Sequence, residues 1–454
     1  ASALATGRSH LSSPSIPSCM HLCLFEDARV PHLRPLVETR ASFDLRLGIR
    51  SIVETTCDAF GVDAAHLMLH TRPGVAGVTK REHPGVKVLT TGTAAESARV
   101  REDVLFVNGR LIATEEVVRV LKGGIRDRDR GCAFTAGSAV VAAWMPGVDC
   151  PVEAFEMDDL TPFFSDLPEE DLSDAVLVRN VWDLLGQIGD AIRRDFRDLL
   201  PYNILEDVYD RTDAIVHPSV VATAPENIFI APGATIRPGA ILDGSSGPIY
   251  LDHDATVFEQ AVVKGPVYLG RRSQIKVHAD VANTAIGTWC KVGGEVHDSV
   301  LHSLSNKGHQ GFLGHSYLGR WCNLGADTNT SNLKNDYGEV TAYDPAASDF
   351  VATGRQFAGL FMGDHSKCSI NTMFNTGTVV GTGCNIFGGG FPPRYVPPFS
   401  WGGAGRGFTT YRIDKALEVA DAVMGRRETH LDEAEADLLR DLHKKTASER
   451  QNRA

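Results

Sequence analysis

Six histidines lie between positions 278 and 365: His278, His297, His302, His309, His315 and His365. An imidazole, with an ordinary pKa of about 6.5, can be neutral and still basic at working pH, which suits a general base. His309 sits in the run NKGHQGF (Asn306 to Phe312), beside Lys307, whose ammonium could hold a phosphate or simply face solvent. His297 and His302 have a local spacing suited to zinc. A zinc site needs three ligands and an open position, however, and no third partner stands at the expected distance, so no metal site is assigned. GDHSKCSIN (Gly363 to Asn371) brings together Asp364, His365 and Lys367, either as solvated turn residues or as ligand contacts.

These groups need a scaffold, and the sequence supplies one. From Leu251 an aliphatic residue recurs at every sixth position: Leu251, Val257, Val263, Leu269, Ile275 and Val281. A small or compact residue follows four places after each (Ala255, Ala261, Val267, Ser273, Ala279, Ala285). A shorter run at Ile230, Ile236 and Leu242 obeys the same rule, and the register returns at Leu318, Leu324, Met362, Cys368, Phe374, Val380 and Ile386. A period of six is neither the helical 3.6 nor the strand period of 2. It fits a parallel β-helix of hexapeptide repeats with three short strands per coil, each coil burying its apolar face only against its neighbours. Two stretches are expected to leave the register, Ser303–Phe312 and Thr330–Gln356, and loops leaving a rigid scaffold tend to carry binding and catalytic groups.

The segment NKGHQGFLGHSYLGRWCNLGADTNTSNLKN (Asn306 to Asn335) resembles the acetyltransferase domain of the bifunctional enzymes that make UDP-N-acetylglucosamine, the UDP-N-acetylglucosamine diphosphorylase/glucosamine-1-phosphate N-acetyltransferases. That family places a Gly-His pair, then a coil, then a Gly-Ala-Gly-Thr turn, then an Asn six residues after the turn's Ala. Here these are Gly308-His309, Gly325-Ala326-Asp327-Thr328 and Asn332. The resemblance implies a left-handed winding, His309 as general base, the Ala326 N–H as oxyanion donor, and Asn332 orienting the acceptor. It also implies Lys307 and Lys334 as substrate contacts, acetyl-CoA as acyl donor and a homotrimer. Leu333 stands where the family has Tyr, and Asp327 where it has Gly, so the acceptor is expected to differ. Trimeric β-helical carbonic anhydrases of the γ type, which hold zinc with histidines from adjacent subunits, give the alternative of a zinc-dependent hydratase.

Upstream, residues 19 to about 205 alternate apolar strand-like runs (Leu22–Phe25, His66–His70, Val104–Val107) with helical stretches (Leu45–Phe60, Val117–Leu121), which predicts an α/β Rossmann-like sheet. Amphipathic helices are expected over Asp171–Leu185 and Ile188–Leu200. The runs LFEDARVPHLRPLVETRASFDLRLGIRSIVE and LFVNGR resemble the sugar nucleotidyltransferases that precede a β-helical domain. In that resemblance Thr39-Arg40 and Asp44-Leu45-Arg46 occupy the nucleotide loop, with Arg40 and Arg46 as phosphate ligands and Asn108 as a substrate contact. The usual Gly-rich loop is missing, and Gly109-Arg110 replaces the Gly-Asp whose carboxylate would hold Mg2+. Two readings stay open: nucleotidyl transfer to a sugar 1-phosphate, and non-catalytic binding of a sugar nucleotide.

The chain has 454 residues, 43% hydrophobic and 22% charged, with formal net charge −12. That balance argues against non-specific nucleic-acid binding, which needs clustered cations, and no apolar run is long enough to span a membrane. The nine cysteines include no Cys-x-x-Cys; Cys290, Cys322 and Cys384 fall at small inward positions, as reduced core residues of a cytoplasmic protein. The expected organisation is a disordered leader (1–18), a nucleotidyltransferase-like domain (19–205), a β-helix (206–392), and a Pro/Gly-rich linker with one helix of about thirty residues from Asp414 to Lys445. The partners implied are a sugar phosphate, a nucleoside triphosphate or nucleotide sugar, and an acyl-CoA.

Overall fold

The computed structural model describes residues 20–91, 103–126, 128–147, 157–200 and 213–451; the expected leader lies outside them. Two compact units emerge, one within Ala1–Asp27, Thr56–Thr71 and His83–Leu177, the other within Ala28–Thr55, Arg72–Glu82 and Val178–Ala454.

In the first unit a seven-stranded sheet is built from β1 (His21–Phe25), β2 (Leu67–His70), β3 (Lys87–Leu89), β4 (Val104–Asn108), β5 (Cys132–Ala136), β6 (Ala139–Met145) and β7 (Glu169–Asp171), in the order β3-β2-β1-β4-β6-β5-β7. The strands from β3 to β4 are parallel, while β6 runs antiparallel to both β4 and β5. Leu22 to Phe25 are fully buried, which explains why β1 reads as an unbroken apolar run: a parallel strand is covered on both faces. Cys23, Phe25, Met68, Phe106 and Phe164 form the core on one face. The parallel order 3-2-1-4 is Rossmann-like, and its crevice lies where the order reverses, beyond the carboxyl ends of β1 and β4.

Helices α1 (Ile52–Phe60) and α3 (Glu115–Ile125) follow their expected segments with one change, and α2 (Pro73–Glu82) is a helix that the sequence reading did not include. The first begins seven residues later than Leu45, because Ser42–Asp44 form a short 3-10 turn and Arg46 bridges Ser51. Over Asp171–Leu185 the chain makes no α-helix; Val181–Gln187 is a 3-10 segment leading into α4 (Ile188–Leu199).

The second unit is a parallel β-helix with three strands per coil. One side runs through Ile228–Ile230, Ile249–Leu251, Val300–Ser303, Tyr317–Arg320, Leu360–Met362 and Thr378–Val380; another through Thr256–Val257, Gln274–Ile275, Lys291–Val292, Asn306–Lys307, Asn323–Leu324, Lys367–Cys368 and Asn385–Ile386. The third carries Ile241–Asp243, Glu295–His297 and Phe312–Gly314. The period of six is now explained: each side presents one inward residue per coil, and these stack as columns that are almost wholly aliphatic. At one corner small residues form a ladder between coils, Cys290 N–H donating to Ser273 Oγ (2.8 Å), Cys322 N–H to Ser305 Oγ (2.9 Å) and Cys384 N–H to Ser366 Oγ (2.9 Å). A larger side chain there would push the coils apart.

Three expectations about this unit are corrected. Ser303–Phe312 does not leave the scaffold: Lys291 pairs with Asn306 and Glu295 with Phe312, in register. The coil is simply short, 15 residues between paired positions where Thr256 and Gln274 are 18 apart. The Pro/Gly-rich stretch after residue 392 is no linker either, since Tyr395–Val396 and Ser400–Gly403 add a further coil. The second excursion is real, and carries an antiparallel hairpin of Thr341–Asp344 with Asp349–Ala352. The long terminal helix is two helices, α5 (Ile413–Gly425) and α6 (Glu433–Lys445), followed by a short α7 (Ala447–Gln451). Glu428 breaks the run with φ +59°, and Asp432 caps the next helix by accepting from Glu435 N–H (2.9 Å).

Residues 28–55 belong to the β-helix unit rather than to the sheet. Buried Arg40 pairs with Asp364, Arg50 grips Asp195 of α4 (2.8 Å), and Tyr317 OH donates to Arg46 O (2.9 Å).

Candidate active site

Two polar residues, Lys307 and Thr330, occupy inward positions of the strands flanking the His309 turn. Lys307 takes the place held by Val292 on the preceding coil, and it is 1% exposed. Its Nζ donates to Gly293 O (2.9 Å) and His309 O (2.6 Å). It is therefore not a solvated or phosphate-holding lysine; it ties down the turn that carries His309. Burial pushes its pKa down to about 8. Thr330 Oγ1 accepts from Gly314 N–H (3.3 Å) and donates to Phe312 O (3.3 Å), fixing the strand after the turn.

The His309 turn stacks on that of the next coil: Asp327 N–H donates to Gln310 O (3.0 Å), and Asn371 N–H, one coil further, donates to Ala326 O (2.8 Å). Gly311 has φ +117°, and a Cβ there would collide with the Thr328 carbonyl, so glycine is required at that corner. His309 and Ala326 thus occupy the same corner on successive coils, with the His309 side chain exposed.

Asn332 lies at the other end of this side. Its Nδ2 donates to His315 Nδ1 (3.0 Å), His315 stacks on Phe357 (centroids 5.0 Å), and Asp298 lies 3.7 Å from His315 Nε2. Burial first, with Arg355 and His297 adding to it against Asp298, lowers the His315 pKa, leaving a neutral imidazole that accepts from Asn332. Between the two ends, Phe312 meets His297 edge-on (6.4 Å). Lys334 pairs with Asp336 (3.2 Å). Phe312 and Phe357 escaped the sequence reading, and His315 was noted only as one of six histidines. The signal was weak, since neither an aromatic in a short strand nor an imidazole at a turn departs from the repeat.

His297 and His302 do not converge. His302 is on a different side of the coil, buried, with Nε2 against Asp44 O (2.9 Å), and no group of three His, Cys, Asp or Glu residues suited to a metal occurs among the described residues. Residues of GDHSKCSIN are internal ties: Asp364 accepts from Thr39 Oγ1 (2.7 Å), Arg320 N–H (2.7 Å) and Arg40, and His365 meets Glu435 (3.0 Å). Arg40, committed to Asp364 and Leu36 O, is unavailable as a phosphate ligand. Arg46 lines a cavity of about 480 Å3 within the β-helix unit.

In the first unit, Asn108 is buried at the end of β4. It donates to Asp27 Oδ2 (2.8 Å) and Val140 O (3.0 Å) and accepts from Arg110 N–H (3.0 Å). Arg110 in turn grips Asp27 through Nε (2.8 Å) and Nη2. The crevice at the strand-order reversal is thus floored by a neutralised Asp–Arg pair.

Residues 22–200 match the family model described as sugar nucleotidyl transferase. No curated protein sequence matches the chain. Among solved structures it is similar to the polySia specific acetyltransferase NeuO (12% identity, TM-score 0.27, covering 48% of this chain and 99% of that one). It is also similar to the UDP-N-acetylglucosamine acyltransferase from Campylobacter jejuni (14%, 0.25, 51% and 94%) and to another UDP-N-acetylglucosamine acyltransferase (14%, 0.21, 47% and 78%). No helix among the described residues is long and apolar enough to cross a membrane.

Proposed function

We propose that this chain is a sugar-nucleotide pathway transferase whose left-handed β-helix transfers an acyl group from acetyl-CoA to a sugar acceptor. The observation that carries this reading is the stacking of the His309 turn on the Ala326 turn, with the imidazole exposed and its backbone fixed by Lys307. His309 takes a proton from the acceptor amine or hydroxyl as that atom attacks the thioester carbonyl. The oxyanion accepts from Ala326 N–H, the C–S bond breaks, and the imidazolium returns the proton to the CoA thiolate. Asn332, held by His315, orients the acceptor, and Lys334 is a further acceptor contact. A homotrimer would bring neighbouring copies of this corner together, and sedimentation at equilibrium tests that.

The amino-terminal family match supports sugar-nucleotide recognition in the first unit, with Asn108 at its crevice. Among the described residues, Asp27 is already paired with Arg110 and bonded to Asn108, so it does not offer a free carboxylate to a magnesium ion. That pair favours the second reading for this unit, binding of a sugar nucleotide without turnover. The test is CoA release from acetyl-CoA across a panel of amino-sugar phosphates and nucleotides, run beside calorimetric titration of the same compounds. Acceptor-dependent release supports acyl transfer; binding with no release from any acceptor would leave only the second reading.

A further inference from the structure

The cavity holding Arg46 lies at a different corner of the β-helix from His309, where Thr288, Ser303 and Arg320 follow one another on successive coils. Arg46, Arg320 and Arg427 all line it. At one end the charges are closed: Arg81 pairs with Asp432 (2.9 Å) and Glu435 (2.8 Å), and Glu82 with Arg320 (3.0 Å). At the other end they are not. Arg46 donates only to the carbonyls of Ile49 and His302, and the Glu54 carboxylate that it attracts is bonded to Ser51 (2.7 and 2.9 Å). Arg427 donates only to Asn306 Oδ1 (3.2 Å) and lies over Trp289. The buried Nε atoms of Arg320 and Arg427 have no hydrogen-bond acceptor. His302 adds no charge, since burial and the nearby Arg40, Arg320 and Arg46 hold its pKa well below the usual histidine range.

Buried guanidinium donors without acceptors are costly; Arg427 has no carboxylate partner and Arg46 touches none directly, which leaves cationic charge suited to a phosphate ester. Guanidinium forks are suited to phosphate oxygens. We propose that this cavity binds the phosphate group of a small polar molecule, gripped by Arg46, Arg320 and Arg427, at a site separate from the His309 corner. The inference does not depend on the acyl-transfer reading.

Calorimetric titration of the full chain at fixed ionic strength tests it, with inorganic pyrophosphate and glucosamine 1-phosphate as separate probes. Saturable binding is expected, weakened at least about 10-fold in R427Q and in R46Q, and unchanged in R271Q, a substitution at an exposed arginine. Thermal melts of each variant confirm that it is folded. Preference for the sugar phosphate would identify a phosphorylated sugar, and equal affinity would identify recognition of phosphate alone; either supports the site. Absence of saturable binding by both probes, or binding equally tight in folded R427Q and R46Q, would overturn it.

Discussion

Lys307 offers a quantitative test, because an ammonium has replaced an aliphatic residue inside a β-helix. Its pKa falls from 10.5 to about 8 on folding. At about 1.4 kcal/mol per unit, charging it in the fold costs about 3 kcal/mol more than in the unfolded chain. The folded pKa lies below the unfolded one, so between about pH 8 and 10.5 this group binds more protons in the unfolded chain and its own contribution to stability rises with pH. Lys367, also lowered to about 8 by burial, contributes with the same sign, whereas the Cys290 and Cys384 thiols, pushed up to about 12 by burial, contribute with the opposite sign. The stability difference between wild type and Lys307→Met, measured by urea unfolding, should therefore shift by about 3 kcal/mol in favour of the wild type from pH 7.5 to 10.5. At pH 7.5 the relieved charging cost is offset by two carbonyls, Gly293 O and His309 O, losing their donor at about 1–3 kcal/mol each, so net stability should change little. The His309 turn should loosen all the same, and acyl transfer should fall more than stability does. A variant whose stability profile over this pH range runs parallel to the wild type's would refute the buried charge.

Other sites give independent tests. Arg40→Met strands the Asp364 carboxylate in the interior and should cost about 3–5 kcal/mol in urea unfolding; a cost below about 1 kcal/mol would show that the pair does not anchor residues 28–55. For Glu435, burial pushes the carboxyl up, but the His365 hydrogen bond and the charges of His365 and Arg81 outweigh it and bring it to about 2. Its folded pKa lies below the unfolded value, so its contribution is present above about pH 4.5 and lost as pH falls towards 2. Glu435→Gln should flatten the acid limb of the stability profile, and an unchanged limb would count against the ion pair.

The β-helix was legible because its inward columns repeat a chemical type at a fixed interval, and neither Cys368 nor Phe374 disturbs that rule. Lys307 was misread as part of a loop because a charged residue broke the aliphatic column. Its two carbonyl acceptors lie on its own coil and the preceding one, which local pattern does not reveal. The last coil was hidden by Pro397 and Pro398, ordinarily signs of irregular chain, and the break between α5 and α6 by the absence of Gly or Pro at Glu428. Residues 28–55 carry no periodicity, so nothing in their order pointed to the β-helix; Arg40–Asp364 and Arg50–Asp195 are pairings between distant residues. The motif around His309 was readable, but Phe357 comes from the far end of a long excursion and enters only through folding.

The most direct test of the central claim is kcat/KM for acceptor-dependent CoA release in the wild type and in His309→Ala, with folding of both checked by thermal melts. The account predicts a fall of about 10²- to 10⁴-fold with little change in stability, since the His309 side chain is exposed. Undiminished release in the folded variant would contradict it.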